Sequence, residues 1–188
     1  MLRITGGEHR GRRVAVPPVG ATRPLLERAR EGLMSHLAPQ IPGARVWDVF
    51  AGSGILGLEV LSRGAAEVLA VERSARAATA LQEAARSLGY ADRLRVLRLD
   101  AFRLPFLEEE DPDLLFLDPP YASFREAGSA RARVWDLFCR LAGRLRPGGC
   151  AVIHTPRGIL REDEEACLPG LERRDYGSTS LYWWHREA

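Results

Sequence analysis

The sequence contains no lysine and no asparagine, so all 27 of its basic residues are arginine. Codon usage in a GC-rich genome produces such a bias, which therefore assigns no function by itself. Cysteine is also scarce, and Cys139, Cys150 and Cys167 are an odd number without CxxC spacing. This cysteine content predicts a reducing compartment and excludes a disulfide framework or a zinc site from our expectations.

Long apolar runs are missing as well. No stretch approaches the roughly 20 apolar residues that a transmembrane helix needs, and residues 1–13 hold no apolar core of signal-peptide length. We therefore expect a cytoplasmic monomer that needs no membrane and no metal. Apolar residues make up 46% of the 188 residues and charged residues 28%, which excludes global disorder and suits one compact domain.

The net charge of +2 is unevenly distributed along the chain. Residues 1–24 hold five arginines and one glutamate, a net charge of +4, so the rest of the chain carries −2. Clustered arginines favour contacts with nucleic acid phosphates. The RNA-binding candidates are therefore Arg3, Arg10, Arg12, Arg13 and Arg23.

Two short alternating stretches, 2–5 and 12–16, flank the glycine-rich segment GGEHRG. This pattern predicts a β-hairpin with its arginines toward solvent. We assign a basic N-terminal arm to residues 1–22 and a catalytic domain to residues 23–188. A helix is predicted over residues 21–37, across the boundary between the two, because apolar residues recur there at helical spacing.

From residue 43 onward, predicted strands alternate with predicted helices. The alternation predicts an α/β fold with a Rossmann-like, doubly wound, mostly parallel sheet. Its seven strands are predicted at residues 45–50, 67–71, 95–99, 113–117, 150–155, 171–175 and 180–185.

A glycine-rich turn directly follows the first of these strands and precedes a helix. Glycine permits a positive φ and a close approach of a ligand to the backbone, and the helix N-terminus offers free N–H groups. Such turns bind nucleotides at the carboxyl end of a parallel sheet. The cofactor-binding candidates in this turn are Asp48, Phe50, Ala51, Gly52, Ser53 and Gly54.

Acidic residues end the next two predicted strands. Glu72 lies 20 residues after Gly52, where a carboxylate can accept hydrogen bonds from ribose hydroxyls. Asp100, followed by Ala101, stands where a carboxylate can accept a hydrogen bond from an adenine amine. Together with the glycine turn, these residues predict a pocket for an adenosine-containing cofactor.

The motif Asp118-Pro119-Pro120-Tyr121 follows the apolar strand LLFL. The two prolines restrict the backbone and keep the Pro119 carbonyl out of a β-ladder. This carbonyl and the Asp118 carboxylate can accept both hydrogens of one NH₂ group, while Tyr121 stacks on the base that carries it. Held in this way, a conjugated amine can direct its lone pair at an electrophile through positioning and electrostatics.

FAGSG (50–54), Glu72, DA (100–101) and DPPY (118–121) together resemble class I S-adenosylmethionine-dependent amino-methyltransferases. More narrowly, the chain resembles the RsmD-like bacterial family that methylates a guanine N2 of 16S rRNA. The resemblance covers essentially the whole chain and includes DVFAGSGILGLEVLSRGA (48–65) and FLDPPY (116–121). The segments that narrow it to this family are RITGGEHRGRR (3–13), TRP (22–24) and ERARE (27–31).

The resemblance implies that S-adenosylmethionine lies over residues 50–54, with its amino-acid end near Asp48 and its ribose on Glu72. Its adenine would then face Asp100 and Ala101. The implied partner is 16S rRNA or the small ribosomal subunit particle. The guanine would leave its stack to enter the pocket, with its N2 amine held at the DPPY motif.

Three other interpretations are compatible with some of these motifs. A DNA or other RNA amino-methyltransferase uses the same DPPY chemistry, although 188 residues leave no room for a separate target-recognition domain. A nicotinamide-dependent oxidoreductase follows from the GxGxxG pattern and Glu72 alone. A non-catalytic RNA-binding assembly factor would have no need of the DPPY motif. The four histidines, His9, His36, His154 and His185, are scattered and indicate packing or surface positions.

Overall fold

A computed structural model describes residues 1–15, 25–106, 108–124, 129–160 and 168–187. The strands are β1 Leu2–Arg3, β2 Arg13–Val14, β3 Arg45–Val49, β4 Glu67–Val71, β5 Leu94–Leu97, β6 Leu114–Leu117, β7 Cys150–Pro156, β8 Glu172–Tyr176 and β9 Thr179–His185. The helices are α1 Glu27–His36, α2 Ile55–Ser62, α3 Ala75–Ser87 and α4 Ser129–Ala142, with 3₁₀ turns at Ala101–Phe106 and Tyr121–Phe124.

Seven strands form one sheet in the order β5-β4-β3-β6-β7-β9-β8. The strands from β5 to β7 are parallel, whereas β9 runs antiparallel to both of its neighbours. This arrangement confirms the predicted doubly wound, mostly parallel α/β fold. The chain reverses its direction of winding between β3 and β6, and ligands of such sheets bind beyond the carboxyl ends of the strands at this point.

Helices cover both faces of the sheet. On one face, α1, α2 and part of α3 pack on strand residues such as Val46 and Phe116. On the other face, α4 and the 3₁₀ turns pack on residues such as Trp47 and Leu117. Every residue of β6, LLFL, is buried, as expected for a central parallel strand.

Two predicted helices have different bounds in the structure. The predicted helix 21–37 is observed as α1 from Glu27, and residues 16–24 lie outside the described part of the chain. Its apolar stripe is buried as predicted. The helix predicted at 133–145 is α4, Ser129–Ala142. Residues 143–145 form tightened turns instead, with the Leu145 N–H bonded to the Ala142 carbonyl at 3.0 Å.

The N-terminal hairpin forms as predicted, with Leu2 opposite Val14. It packs firmly on the domain, because Ile4 and Val14 are buried in the core beside α1 and α2. A buried ion pair fixes this contact. Arg30 Nε lies 3.0 Å from Glu59 Oε1, and another guanidinium nitrogen of Arg30 donates to the Arg3 carbonyl at 2.7 Å.

Candidate active site

Three carboxylates meet at the carboxyl ends of β3, β4 and β6. Asp48 is the fourth residue of β3, Glu72 follows β4 and Asp118 follows β6. Asp48 pairs with Ala70 on β4 and with Phe116 on β6, so Glu72 and Asp118 each lie two register positions beyond it on the neighbouring strands. The structure therefore brings together residues that sequence analysis assigned separately to cofactor and amine.

Asp48 is buried, with 1% of its surface exposed. Its Oδ2 accepts the Gly57 N–H at 3.0 Å, while its Oδ1 has no hydrogen-bond partner within the described part of the chain. Burial raises the pKa of this carboxyl to about 8; the Gly57 N–H partly opposes that effect, and the nearby Asp118 and Glu72 add to it. An unsatisfied buried carboxyl of this kind favours a bound donor or cation.

The glycine-rich turn between β3 and α2 has an unusual backbone. Phe50, Gly52 and Gly54 all have positive φ values, of 62°, 54° and 68°. For the non-glycine Phe50, this conformation is strained, and such strain concentrates at functional sites. Gly54 precedes α2 and supplies no side-chain cap, whereas the Ile55 N–H lies 3.4 Å from Ser53 Oγ and the Gly57 N–H is bound by Asp48.

Glu72 is nearly buried and binds two backbone N–H groups. Its Oε2 accepts from Gly52 at 2.9 Å and its Oε1 accepts from Ser74 at 2.7 Å. Each carboxylate oxygen has two lone pairs, so both can still accept a ligand hydroxyl. Glu72 thus joins the glycine turn to the start of α3.

Asp100 and Ala101 lie beyond β5. Asp100 is exposed, and its Oδ1 accepts the Phe102 N–H at 3.2 Å, whereas Ala101 is buried at the start of a 3₁₀ turn. The Phe102 ring contacts the Phe50 ring edge to face, with centroids 5.9 Å apart. This aromatic pair links the segment after β5 to the glycine turn after β3.

The DPPY motif begins where β6 ends. The Asp118 N–H donates to the Val49 carbonyl at 3.1 Å, and the Pro120 carbonyl accepts the Ser123 N–H at 2.8 Å. Pro119 is buried, and no backbone N–H of a described residue bonds its carbonyl. The Pro119 carbonyl therefore lies outside the β-ladder, which ends at Leu117.

Sequence analysis missed two polar side chains beside this motif, His154 at the end of β7 and Thr179 at the start of β9. His154 is buried, and its Nδ1 lies 2.6 Å from Asp118 Oδ1. Its Nε2 bonds the Thr179 hydroxyl, which lies 2.9 Å from the Tyr121 hydroxyl. Asp118 neighbours His154 because Leu117 pairs with Ile153, and this pairing follows only from the order of the strands in the sheet.

The arginines of the N-terminal arm lie outside this crevice. Arg3, Arg10, Arg12 and Arg13 are all exposed, and Arg3 pairs with Glu27. The hairpin turn rests on the C-terminal ends of α2 and α3, where the Glu8 N–H donates to the Ser62 carbonyl at 2.8 Å. Arg10 therefore lies near the end of α2 remote from Gly54. Arg23 lies outside the described residues.

A groove of about 770 Å³ lies at the opposite, amino ends of β3, β4 and β5. Arginine and acidic side chains alternate along it, and pairs such as Arg45–Glu67 and Arg95–Glu109 neutralise each other. It contains none of the candidate site residues. We place the site at the carboxyl edge because the converging carboxylates and the strained turn are there.

Within the described ranges, no group of three or more histidine, cysteine, aspartate or glutamate side chains is arranged to hold a metal ion. None of the described helices is long and apolar enough to cross a membrane.

Comparison with known sequences identifies related proteins. The ribosomal RNA small subunit methyltransferase D of Escherichia coli K12 is 38% identical over 120 residues, which are 64% of this chain and 60% of that protein. The match thus spans less than two thirds of that relative's length. A putative rRNA methyltransferase, YlbH of Bacillus subtilis 168, is 32% identical over 123 residues, 64% of this chain and 67% of that protein.

Solved structures match over the whole length. A putative methyltransferase, yhhF of Escherichia coli, has a TM-score of 0.79 and 29% identity, covering 100% of this chain and 98% of that one. A hypothetical protein of Thermus thermophilus has a TM-score of 0.76 and 31% identity, covering 100% of both chains. A family model described as "Conserved hypothetical protein 95" matches residues 2–185. The chain therefore belongs to this family of RsmD-like methyltransferases, as the sequence resemblance predicted.

Proposed function

We propose that this protein transfers a methyl group from S-adenosylmethionine to the exocyclic N2 amine of a guanine in 16S rRNA. The observation that carries the proposal is the position of the DPPY motif. Asp118 directly follows the strand next to β3, two register positions beyond the unsatisfied buried carboxyl of Asp48, which places an amine acceptor and a cation site at the same edge of the sheet in this proposal.

The residues around the crevice fit S-adenosylmethionine, which supplies a methyl carbon activated by a positively charged sulfonium. Asp48 would hold the cationic amino-acid end, because a positive charge compensates the cost of ionising its buried carboxyl. Glu72 would accept ribose hydroxyls, and Asp100 and Ala101 would contact the adenine. Phe50 and the turn to Gly54 would bring backbone against the ligand.

The DPPY motif would hold the amine. Asp118 and the Pro119 carbonyl would each accept one of its hydrogens, so that the nitrogen lone pair points toward the methyl carbon. Pro120 restricts the backbone, and the Tyr121 ring would stack on the guanine. Catalysis would then depend on positioning and electrostatics. The methylated nitrogen must lose a proton, and the Asp118 carboxylate would lie beside it as the acceptor.

The names of the relatives support an RNA substrate, since the Escherichia coli and Bacillus subtilis proteins are described as rRNA methyltransferases. In this chain, the exposed arginines of the hairpin would contact phosphates, which positions RNA without choosing the base. Arg3 and Arg13 stand at the open end of the hairpin, and Arg10 and Arg12 near its turn. Arg23 completes the proposed set.

The test compares three substrates, small ribosomal subunit particles that lack the modification, naked 16S rRNA and duplex DNA. With labelled S-adenosylmethionine, we expect transfer to an RNA substrate and none to DNA. Transfer to DNA alone would favour the DNA amino-methyltransferase interpretation. Binding of NAD in place of S-adenosylmethionine, measured by calorimetry, would favour the oxidoreductase.

A further inference from the structure

Four side chains form one hydrogen-bonded chain beside the proposed amine site. His154 Nδ1 contacts Asp118 Oδ1 at 2.6 Å, and His154 Nε2 bonds the Thr179 hydroxyl. The Tyr121 hydroxyl lies 2.9 Å from Thr179 Oγ1 and 3.4 Å from His154 Nε2. These hydrogen bonds therefore link Asp118, the first residue of the DPPY motif, to Tyr121, its last residue, through side chains of β7 and β9.

The chemistry of these groups assigns the hydrogen between His154 and an ionised Asp118. An ionised carboxylate only accepts, so the hydrogen between His154 and Asp118 belongs to Nδ1. In a neutral imidazole, Nε2 is then an acceptor, and it receives a hydrogen from a hydroxyl. The hydroxyls of Thr179 and Tyr121 both lie near Nε2. When Tyr121 donates to the ring, Thr179 can donate to the Thr155 carbonyl, which lies 2.9 Å from Thr179 Oγ1.

The side chains of this hydrogen-bonded chain differ in their exposure to solvent. His154 is 4% exposed and Thr179 is 3% exposed, whereas the Asp118 side chain is 26% exposed. The inner end of the chain is thus shielded from water, and its outer end opens toward the crevice. One carboxylate oxygen, Oδ1, is occupied by His154, while no hydrogen bond from another described side chain reaches Oδ2.

We propose that His154 is a positioning residue for methyl transfer. Through Nδ1 it fixes the rotation of the Asp118 carboxylate, so that Oδ2 faces the amine. Through Nε2 and Thr179 it anchors the Tyr121 hydroxyl, which sets the plane of the stacking ring. This inference rests on the proposed function, since it assumes that Asp118 accepts the substrate amine.

The first test measures the ring itself in the full-length protein without substrate. Long-range ¹H–¹⁵N NMR spectra of ¹⁵N-histidine-labelled protein, assigned with His154→Asn, report which ring nitrogen carries hydrogen. We expect hydrogen on Nδ1 of His154 in the wild type and its loss from Nδ1 in Asp118→Ala. An Nδ1 without hydrogen in the wild type would overturn the proposal.

The second test separates the two ends of the ring by kinetics. His154→Asn retains a side-chain N–H where Nδ1 stood, whereas His154→Gln places its amide where Nε2 stood. We expect His154→Ala to lower kcat for rRNA methylation about 10–100-fold, as misplacement of a reacting group does. His154→Asn should recover most of this loss and His154→Gln should not, with the Kd for S-adenosylmethionine within about twofold throughout.

His36→Ala is the matched control. This partly buried ring packs edge to face on Trp183 and contacts none of the four side chains of the hydrogen-bonded chain, so it reports the general effect of removing a histidine. Equal kcat values for His154→Asn and His154→Ala would overturn the proposal. The ring measurement needs no substrate, so it decides whether His154 holds Asp118 even if the wild type fails to methylate rRNA. That failure would contradict the proposed function alone.

Discussion

The Gly52 N–H donates to Glu72 Oε2 at 2.9 Å, which joins the ends of two neighbouring parallel strands through a side chain. The same carboxylate accepts the Ser74 N–H, so Glu72 also fixes the start of α3. Sequence spacing predicted Glu72 as a ribose ligand. In the structure the Glu72 carboxylate accepts the backbone N–H groups of Gly52 and Ser74. A ribose hydroxyl would donate to the lone pairs that remain on the two carboxylate oxygens.

Replacement of Glu72 tests this double role. Glu72→Ala should weaken S-adenosylmethionine binding by about tenfold or more, because hydrogen bonds to a charged group contribute roughly 1.5–3 kcal/mol. Calorimetry measures the affinity, and Glu83→Ala, an exposed acid on α3, is the control. An unchanged affinity would remove Glu72 from the ribose site.

Gly54 is expected to resist substitution for two reasons. Its φ of 68° costs a side chain about 1–2 kcal/mol, and an added Cβ would stand 2.1 Å from Leu81 Cδ1. Gly89 has a similar φ of 75° with nothing within 4 Å in the described structure, so Gly89→Ala isolates the backbone effect. We expect Gly54→Ala to lower the free energy of unfolding by about 1–3 kcal/mol more than Gly89→Ala does. Equal losses in denaturant titrations would show that the turn tolerates a Cβ.

Asp48 predicts a specific pH dependence of stability without ligand. Because its pKa rises to about 8 on folding, the folded state holds one more proton than the unfolded state between about pH 4 and pH 8. Raising the pH through this window therefore favours unfolding, by about 1.4 kcal/mol per pH unit from this group. Asp48→Asn should remove that slope, whereas the exposed Asp92→Asn should retain it. Parallel stability–pH curves for wild type and Asp48→Asn would contradict the burial argument.

The arginines of the hairpin predict a salt effect. Replacing Arg10, Arg12 and Arg13 by alanine should weaken RNA binding and reduce the slope of log K against log salt by roughly one for each phosphate that is no longer neutralised. Arg140→Ala, on α4, is the control for a surface charge on the other face of the sheet. If the triple variant keeps the wild-type slope, the hairpin does not touch phosphate.

Local patterns were enough to predict most of the fold. The strand predicted at 67–71 is observed as Glu67–Val71. An apolar run predicts a buried strand, and the turn residues on either side of the run define where the strand begins and ends. The glycine turn and the DPPY motif lie where predicted because both are set by residues next to a strand. The docking of the hairpin was not predictable in this way. It depends on Arg30 meeting Glu59, 29 residues apart in sequence and buried together.

His154 shows the same limit at the site. A lone histidine in a strand carries no signal of its own, and its contact with Asp118 follows only from the adjacency of β6 and β7. Thr179 is farther still, since it reaches the site through the antiparallel pairing of β9 with β7. Residues that act through the register of distant strands become visible only when the sheet order is known.

The most direct measurement is the identity of the nucleoside that the protein modifies. Purified protein is incubated with S-adenosylmethionine and small ribosomal subunits from a strain lacking the gene, and the rRNA is digested and analysed by mass spectrometry. We predict one new N2-methylguanosine in 16S rRNA with wild type and none with Asp118→Ala, which should still bind S-adenosylmethionine. A different methylated nucleoside, or an N2-methylguanosine formed by Asp118→Ala at the wild-type rate, would contradict the account.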